Sequence, residues 1–160
     1  MDTIDLKNPT LYINRELSLL EFNRRDIEQA KNENLALLER LRFLCIASTN
    51  LDEFFEIRVA GLKQQVKYGS TQTGPDNLSP TEVLTRVSET AHQFVEEQYS
   101  VWNDLIIPAM AKDNIRLLRR SQWKSQTSRW IHRYFKDEVL PVLSPIGLDP
   151  AHPFPKVQNK

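Results

Sequence analysis

The sequence predicts a mainly α protein, an antiparallel helical bundle with a long helical hairpin, followed by a short α+β, proline-rich start of a second domain. Three observations carry this. Apolar residues recur at three- and four-residue spacing along most of the chain. A complete helix-start signal stands at Ser79, Pro80 and Glu82. Five of the nine prolines fall in the last twenty residues, where helix cannot persist because proline lacks an amide donor. The expected division is a helical domain over 1–112 and the beginning of a second, truncated domain over 113–160, ending at a lysine without a closing element.

In chain order, "SLLEFNRRDIEQAK" pairs Ser18 with Glu21 in the spacing of a capping box, so a first helix is expected to start there. Leu19, Phe22, Ile27 and Ala30 form its apolar face. After the polar "KNENLA", a second helix places Leu37, Leu38, Leu41, Leu44 and Cys45 on one stripe and Glu39, Arg40 and Arg42 opposite. In "STNLDEFFEIRVAGL", Asn50 is positioned to cap a third helix with Glu53 three residues on. Leu51, Phe55, Val59, Leu62 and Val66 then form the buried stripe, and Tyr68-Gly69 ends the helix. "GSTQTGPDNL" reads as an exposed, mobile connector. From Ser79 a long helix carries Val83, Val87, Ala91, Phe94, Gln98, Val101 or Trp102, and Leu105 in register, until Pro108 ends or kinks it. "NIRLLRR" is an extended candidate, and helical spacing returns in Trp130, Tyr134, Phe135 and Val139.

Lysine and arginine balance aspartate and glutamate at 21 each, so no global field favours a nucleic-acid partner. The single cysteine, Cys45, suits a reducing compartment and a buried position. No secretory signal or long apolar run is present, which points to a soluble, cytosolic chain. His92, His132 and His152 form no pair at metal-ligand spacing. Glu89 and His92 have the spacing of one di-iron carboxylate–histidine pair, but the second pair such a centre needs is missing. Neither a glycine-rich phosphate loop nor a nucleophile elbow occurs. Basic residues gather at Arg116, Arg119, Arg120 and Lys124, and at Arg129, Arg133 and Lys136, among acids that make them a solvated face. Arg58, close to the buried stripe, calls for a carboxylate or phosphate partner, with Glu39 or Glu16 as candidates.

Three stretches, "LYINRELSLLEFNRR", "LLERLRFLCIASTNLDEFFEIRVAGL" and "PVLSPIGLDPAHPFP", closely resemble in order and spacing the amino-terminal region of bacterial polyphosphate kinases of the first type. The resemblance implies the helical N-terminal domain of a much longer enzyme and the opening of its head domain. Such enzymes move the terminal phosphate of ATP reversibly onto inorganic polyphosphate, through a phosphorylated histidine in later phospholipase-D-like domains with Mg2+. It implies no catalytic residue here: His92, His132 and His152 match no catalytic position, Mg2+ is not held by this stretch, and the piece alone is inert. One position carries over, the asparagine before Leu-Asp-Glu-Phe, which implies ATP binding by Asn50. A carboxamide offers both a donor and an acceptor to the edge of an adenine. Leu19 and Asp26 depart from the resemblance, which leads one to expect tryptophan and an apolar residue there. Implied partners are ATP, inorganic polyphosphate, the remaining domains of the same chain and, as an open case, a second copy. The implied location is cytoplasmic, with peripheral membrane association open. The competing reading is a helical interaction or dimerisation module with no ligand of its own.

Overall fold

Three long helices build the first of two compact units, Met1–Arg116 and Leu117–Lys160, in the computed structural model. The structure describes residues 5–151 and 153–155; the calls made on 1–4, His152 and 156–160 lie outside them. Helix α1 spans Arg15–Lys31. It starts one turn earlier than the Ser18–Glu21 pattern suggests, because the Asn14 side chain accepts from the backbone N–H of both Glu16 and Leu17 at 3.1 Å. Ser18 is thereby inside the helix, its own N–H bonded to the Asn14 carbonyl.

Helix α2 covers 37–67 without interruption, as an α-helix Leu37–Phe54, a π-turn Phe55–Val59 and an α-helix Ala60–Lys67. The second and third helices expected from the sequence are therefore one rod, and Asn50 lies in its interior and does not cap it. The π-turn inserts one residue into the repeat. Leu44, Ala47 and Phe54 are buried on the first stretch, and the next buried residue is Val59, five positions after Phe54. Phe54 thus takes the core position expected of Phe55, which is left exposed, as is Val66. Gly69, at φ 70°, closes the rod in a Schellman motif, with the Gly69 and Ser70 N–H groups bonded to the Val66 and Gln65 carbonyls.

Helix α3 covers 80–112, as Pro80–Ser100, a π-turn Val101–Ile106 and Ile107–Lys112. Its start is the capping box read from the sequence, with the Ser79 N–H donating to Glu82 Oε2 at 2.8 Å. The Ser79 hydroxyl, and then its backbone N–H, hold the Glu82 carboxyl below the usual carboxylate range. Pro108 does not end the helix. It falls just after the π-turn, where the ordinary hydrogen-bond ladder is already displaced, so its missing donor costs little. Ile106, five residues beyond Val101, enters the core where Leu105 was expected. Asn114, at φ 61°, closes α3 as Gly69 closes α2.

The helices pack as an antiparallel α1–α2 pair and the long α2–α3 hairpin. One core layer joins Ile27, Ala30, Leu44, Ala47, Phe94 and Ile106, and a second joins Leu20, Phe54, Val59, Leu62, Val87 and Ala91. Each fully buried side chain of Leu, Ile or Phe size contributes roughly 1.5–3 kcal/mol. In α1 the interior face is Leu20, Asn23, Ile27 and Ala30, while Phe22 stands exposed, against expectation. Arg40, assigned to the outer face of α2, is buried because its Nε donates at 2.9 Å to the Ala30 carbonyl in the last turn of α1, where a cation is favoured. Glu97 of α3 receives Lys31 and lies 3.2 Å from Arg24 Nε. Lys31 has its pKa raised, first by its hydrogen bond to Glu28 and then by Glu97. The connector before α3 is exposed, yet tied down: Asn14 Nδ2 donates to Asp76 at 2.6 Å.

The second unit contains α4, Ser125–Tyr134, continued by a π-turn Phe135–Val139. Trp130 and Tyr134 stack with ring centroids 5.4 Å apart. Among the described residues it has no buried side chain and no strand; the stretch 115–119, which crosses from the first unit into the second in sequence, is non-helical and forms no strand ladder.

If the π-turn is an inserted residue, removing one should heal it. Deleting Phe55 brings Val59 to four residues after Phe54, the α-helical spacing, and cooperative urea unfolding followed by circular dichroism should persist with a loss under about 1 kcal/mol. Loss of the cooperative transition would mean that the core requires the wider turn itself.

Candidate functional site

Where α1 and α2 lie side by side, a cleft of about 320 Å³ opens to solvent. Leu19, Phe22 and Asn23 line it from α1, and Asn50, Glu53, Phe54, Ile57 and Arg58 from α2. Both sets follow three- and four-residue spacing, so each is one face of its rod. The walls are apolar, with two carboxamides, one carboxylate and one guanidinium set into them. Phe22 presents a ring whose other contact is the Arg25 guanidinium, 5.8 Å from its centroid.

Asn50 is half-buried. Because the surrounding helix satisfies the backbone, its side chain has no capping duty. Its Nδ2 instead donates to Asp26 Oδ2 of α1 at 3.1 Å. A carboxylate only accepts, which fixes the nitrogen end of the amide towards Asp26. Among the described residues no donor reaches Asn50 Oδ1.

Asn23 is a site residue that the sequence reading passed over. It is 5% exposed and has no hydrogen-bond partner among the described residues, and its side chain borders the cleft. The residue as a whole is buried, yet its amide atoms are not among the fully enclosed polar atoms that lack a partner, so the amide opens onto the cleft. The available signal was its position: Asn23 stands on the interior stripe between Leu20 and Ile27, where an apolar residue would be the default. Arg58 is half-buried on the cleft and makes no ion pair among the described residues; the expected partner Glu39 pairs with Arg42 instead.

The other candidates stay apart from this cleft. Cys45 is exposed, against expectation, since Leu44 occupies the interior position and the next residue turns about 100° away. His92 is exposed and its Nδ1 lies 2.7 Å from the Ser88 carbonyl of its own helix. His132 is exposed, as are the basic residues Arg116, Arg119, Arg120, Lys124, Arg129, Arg133 and Lys136. Among the described residues no group of three or more His, Cys, Asp or Glu is arranged to hold a metal ion.

The first unit is thus a helical bundle with an amide-lined cleft between two of its rods. The family described as polyphosphate kinase N-terminal domain matches residues 12–118, and that described as polyphosphate kinase middle domain matches 126–160. The polyphosphate kinase of Pseudomonas putida is 54% identical over 155 residues, covering 97% of this chain and 21% of its own length. That of Pseudomonas syringae pv. tomato is 51% identical over 156 residues, covering 98% of this chain. The crystal structure of polyphosphate kinase from Porphyromonas gingivalis aligns with a TM-score of 0.73 at 27% identity, over 91% of this chain and 20% of that one. The chain belongs to the polyphosphate kinase family. It spans about a fifth of the length of the curated relatives it matches.

Replacing Asn23 by the similarly sized Leu puts an apolar side chain at a 5% exposed position on the interior stripe of α1. Asn23→Leu should stabilise the protein by about 1 kcal/mol in urea titration; a destabilisation of that size would show that the amide is satisfied in solution.

Proposed function

We propose that this chain is the nucleotide-contacting N-terminal domain of an ATP:polyphosphate phosphotransferase, a polyphosphate kinase that makes inorganic polyphosphate from ATP reversibly. The observation that carries this is the Asn50 carboxamide, held at the wall of an open cleft with its oxygen unclaimed. Apolar walls suit the faces of a purine, and the amide suits its edge. Family membership supplies the reaction, since the relatives are named polyphosphate kinases.

In this reading the domain binds and orients the base, and phosphoryl transfer takes place on residues elsewhere in the protein. Fixing the base restricts the phosphates to fewer orientations, which is how a group remote from the reacting atoms assists a positioning-dominated transfer. The stretch 1–112 serves as this domain and 113–160 as the beginning of the next. In this reading the chain by itself is inert; among the described residues His92 and His132 are exposed and stand apart from the cleft. Mg2+, expected in the full-length enzyme, finds no fitting donor set among the described residues, so no step here runs through it.

The remaining domains of the same protein are the principal partners. The exposed side chains of Val142, Ile146, Leu148 and Phe154 in the second unit favour a covering by further chain. Among the described residues no helix is long and apolar enough to cross a membrane.

Asn50→Ala in the full-length enzyme should raise KM for ATP about five- to tenfold, the loss of one or two hydrogen bonds, with an unchanged circular dichroism spectrum. An unaltered KM would reject nucleotide contact at this cleft.

A further inference from the structure

We propose that Asp26, which does not line the cleft, is a specificity-determining residue: it orients the Asn50 carboxamide so that the site selects a 6-aminopurine nucleotide over a 6-oxopurine one. The inference rests on the nucleotide reading of the cleft and adds the device that chooses the base.

The geometry points to this through three observations. The Asn50 amide is anchored at its nitrogen end by a carboxylate on the neighbouring helix, 3.1 Å away. An unanchored carboxamide can turn over and exchange its donor for its acceptor, and would then accept either kind of purine edge. Anchored, it keeps its oxygen for the ligand. The exocyclic group of adenine is an N–H donor and pairs with that oxygen, whereas guanine has a carbonyl there, and two acceptors repel. Of the other lining residues Leu19, Phe22, Phe54 and Ile57 are apolar and Glu53 is an acceptor too, which leaves Asn23 and Arg58 as the remaining donors of the cleft.

The second observation is Asn23. It is more than nine-tenths buried, has no partner among the described residues and borders the same cleft. Because it is unpinned, its amide can supply the N–H that a purine ring nitrogen accepts. The fixed amide therefore discriminates, and the free amide adapts. The third is location: Asp26 is absent from the cleft lining, so it reaches the ligand only through Asn50 and acts as a positioning residue.

The test compares ATP with GTP as phosphate donor in the full-length enzyme, as the ratio of their kcat/KM values. Asp26→Leu removes the acceptor and should lower the ATP-to-GTP ratio about tenfold, the worth of one hydrogen bond, with the change in KM rather than in kcat. Asp26→Asn can donate as well as accept, so it no longer fixes which end of the Asn50 amide faces it and should also lower the ratio; it serves if the leucine variant folds poorly. Asn23→Leu should raise KM for ATP several-fold. If Asn50→Ala raises KM for ATP while both Asp26 variants keep the parental ratio, the orienting role is overturned and nucleotide contact stands. If Asn50→Ala has no effect, the nucleotide reading falls, and this inference with it.

Discussion

A single extra residue in α2 governs what the bundle can bury. In an uninterrupted α-helix the residue four after Phe54 would turn towards the core, and that residue is Arg58. A guanidinium there would need a buried counter-charge, and among the described residues no acidic side chain is buried. The π-turn over Phe55–Val59 delivers Val59 to the core instead and leaves Arg58 half-buried on the cleft. Helix α3 has the same insertion between Val101 and Ile106, although the residue it turns away there, Leu105, is itself apolar. Apolar continuity is thus kept through both long rods.

The cleft follows from how α1 is held. Arg40 fastens the last turn of α1 to α2, and Glu97 gathers Arg24 and Lys31 from α1 onto α3. Asn14 fastens its first turn to the connector through Asp76. With both ends secured, the middle of α1 faces α2 across two amides, one anchored and one unpaired. Both amides give the cleft polar points in walls that are otherwise largely apolar.

Much of the fold was legible because it depends on local chemistry. Ser79, Pro80 and Glu82 specify a helix start within four residues, and Gly69 specifies a stop by its left-handed conformation. The three-four periodicity located every long helix, though it divided α2 in two at Asn50. What stayed hidden depends on partners distant in sequence. Arg40 looks like an outer-face residue until the Ala30 carbonyl comes within reach, and Ser18 looks like a cap until Asn14 takes the two free amides first. The π-turns were illegible from periodicity, since Phe54 and Phe55 are equally apolar and only the packed core decides between them. At the site, Asn50 came from the family resemblance, and its helix-capping role was an artefact of reading one rod as two. Asn23 and the Asp26 contact required the two helices to be brought together.

A crystal structure of the full-length enzyme with a non-hydrolysable ATP analogue is the most direct test of the cleft's role. The purine should lie between α1 and α2, with its 6-amino group within about 3 Å of Asn50 Oδ1 and Asn50 Nδ2 still bonded to Asp26. A base seated elsewhere, with Asn50 and Asn23 both free of it, would contradict nucleotide recognition by this domain.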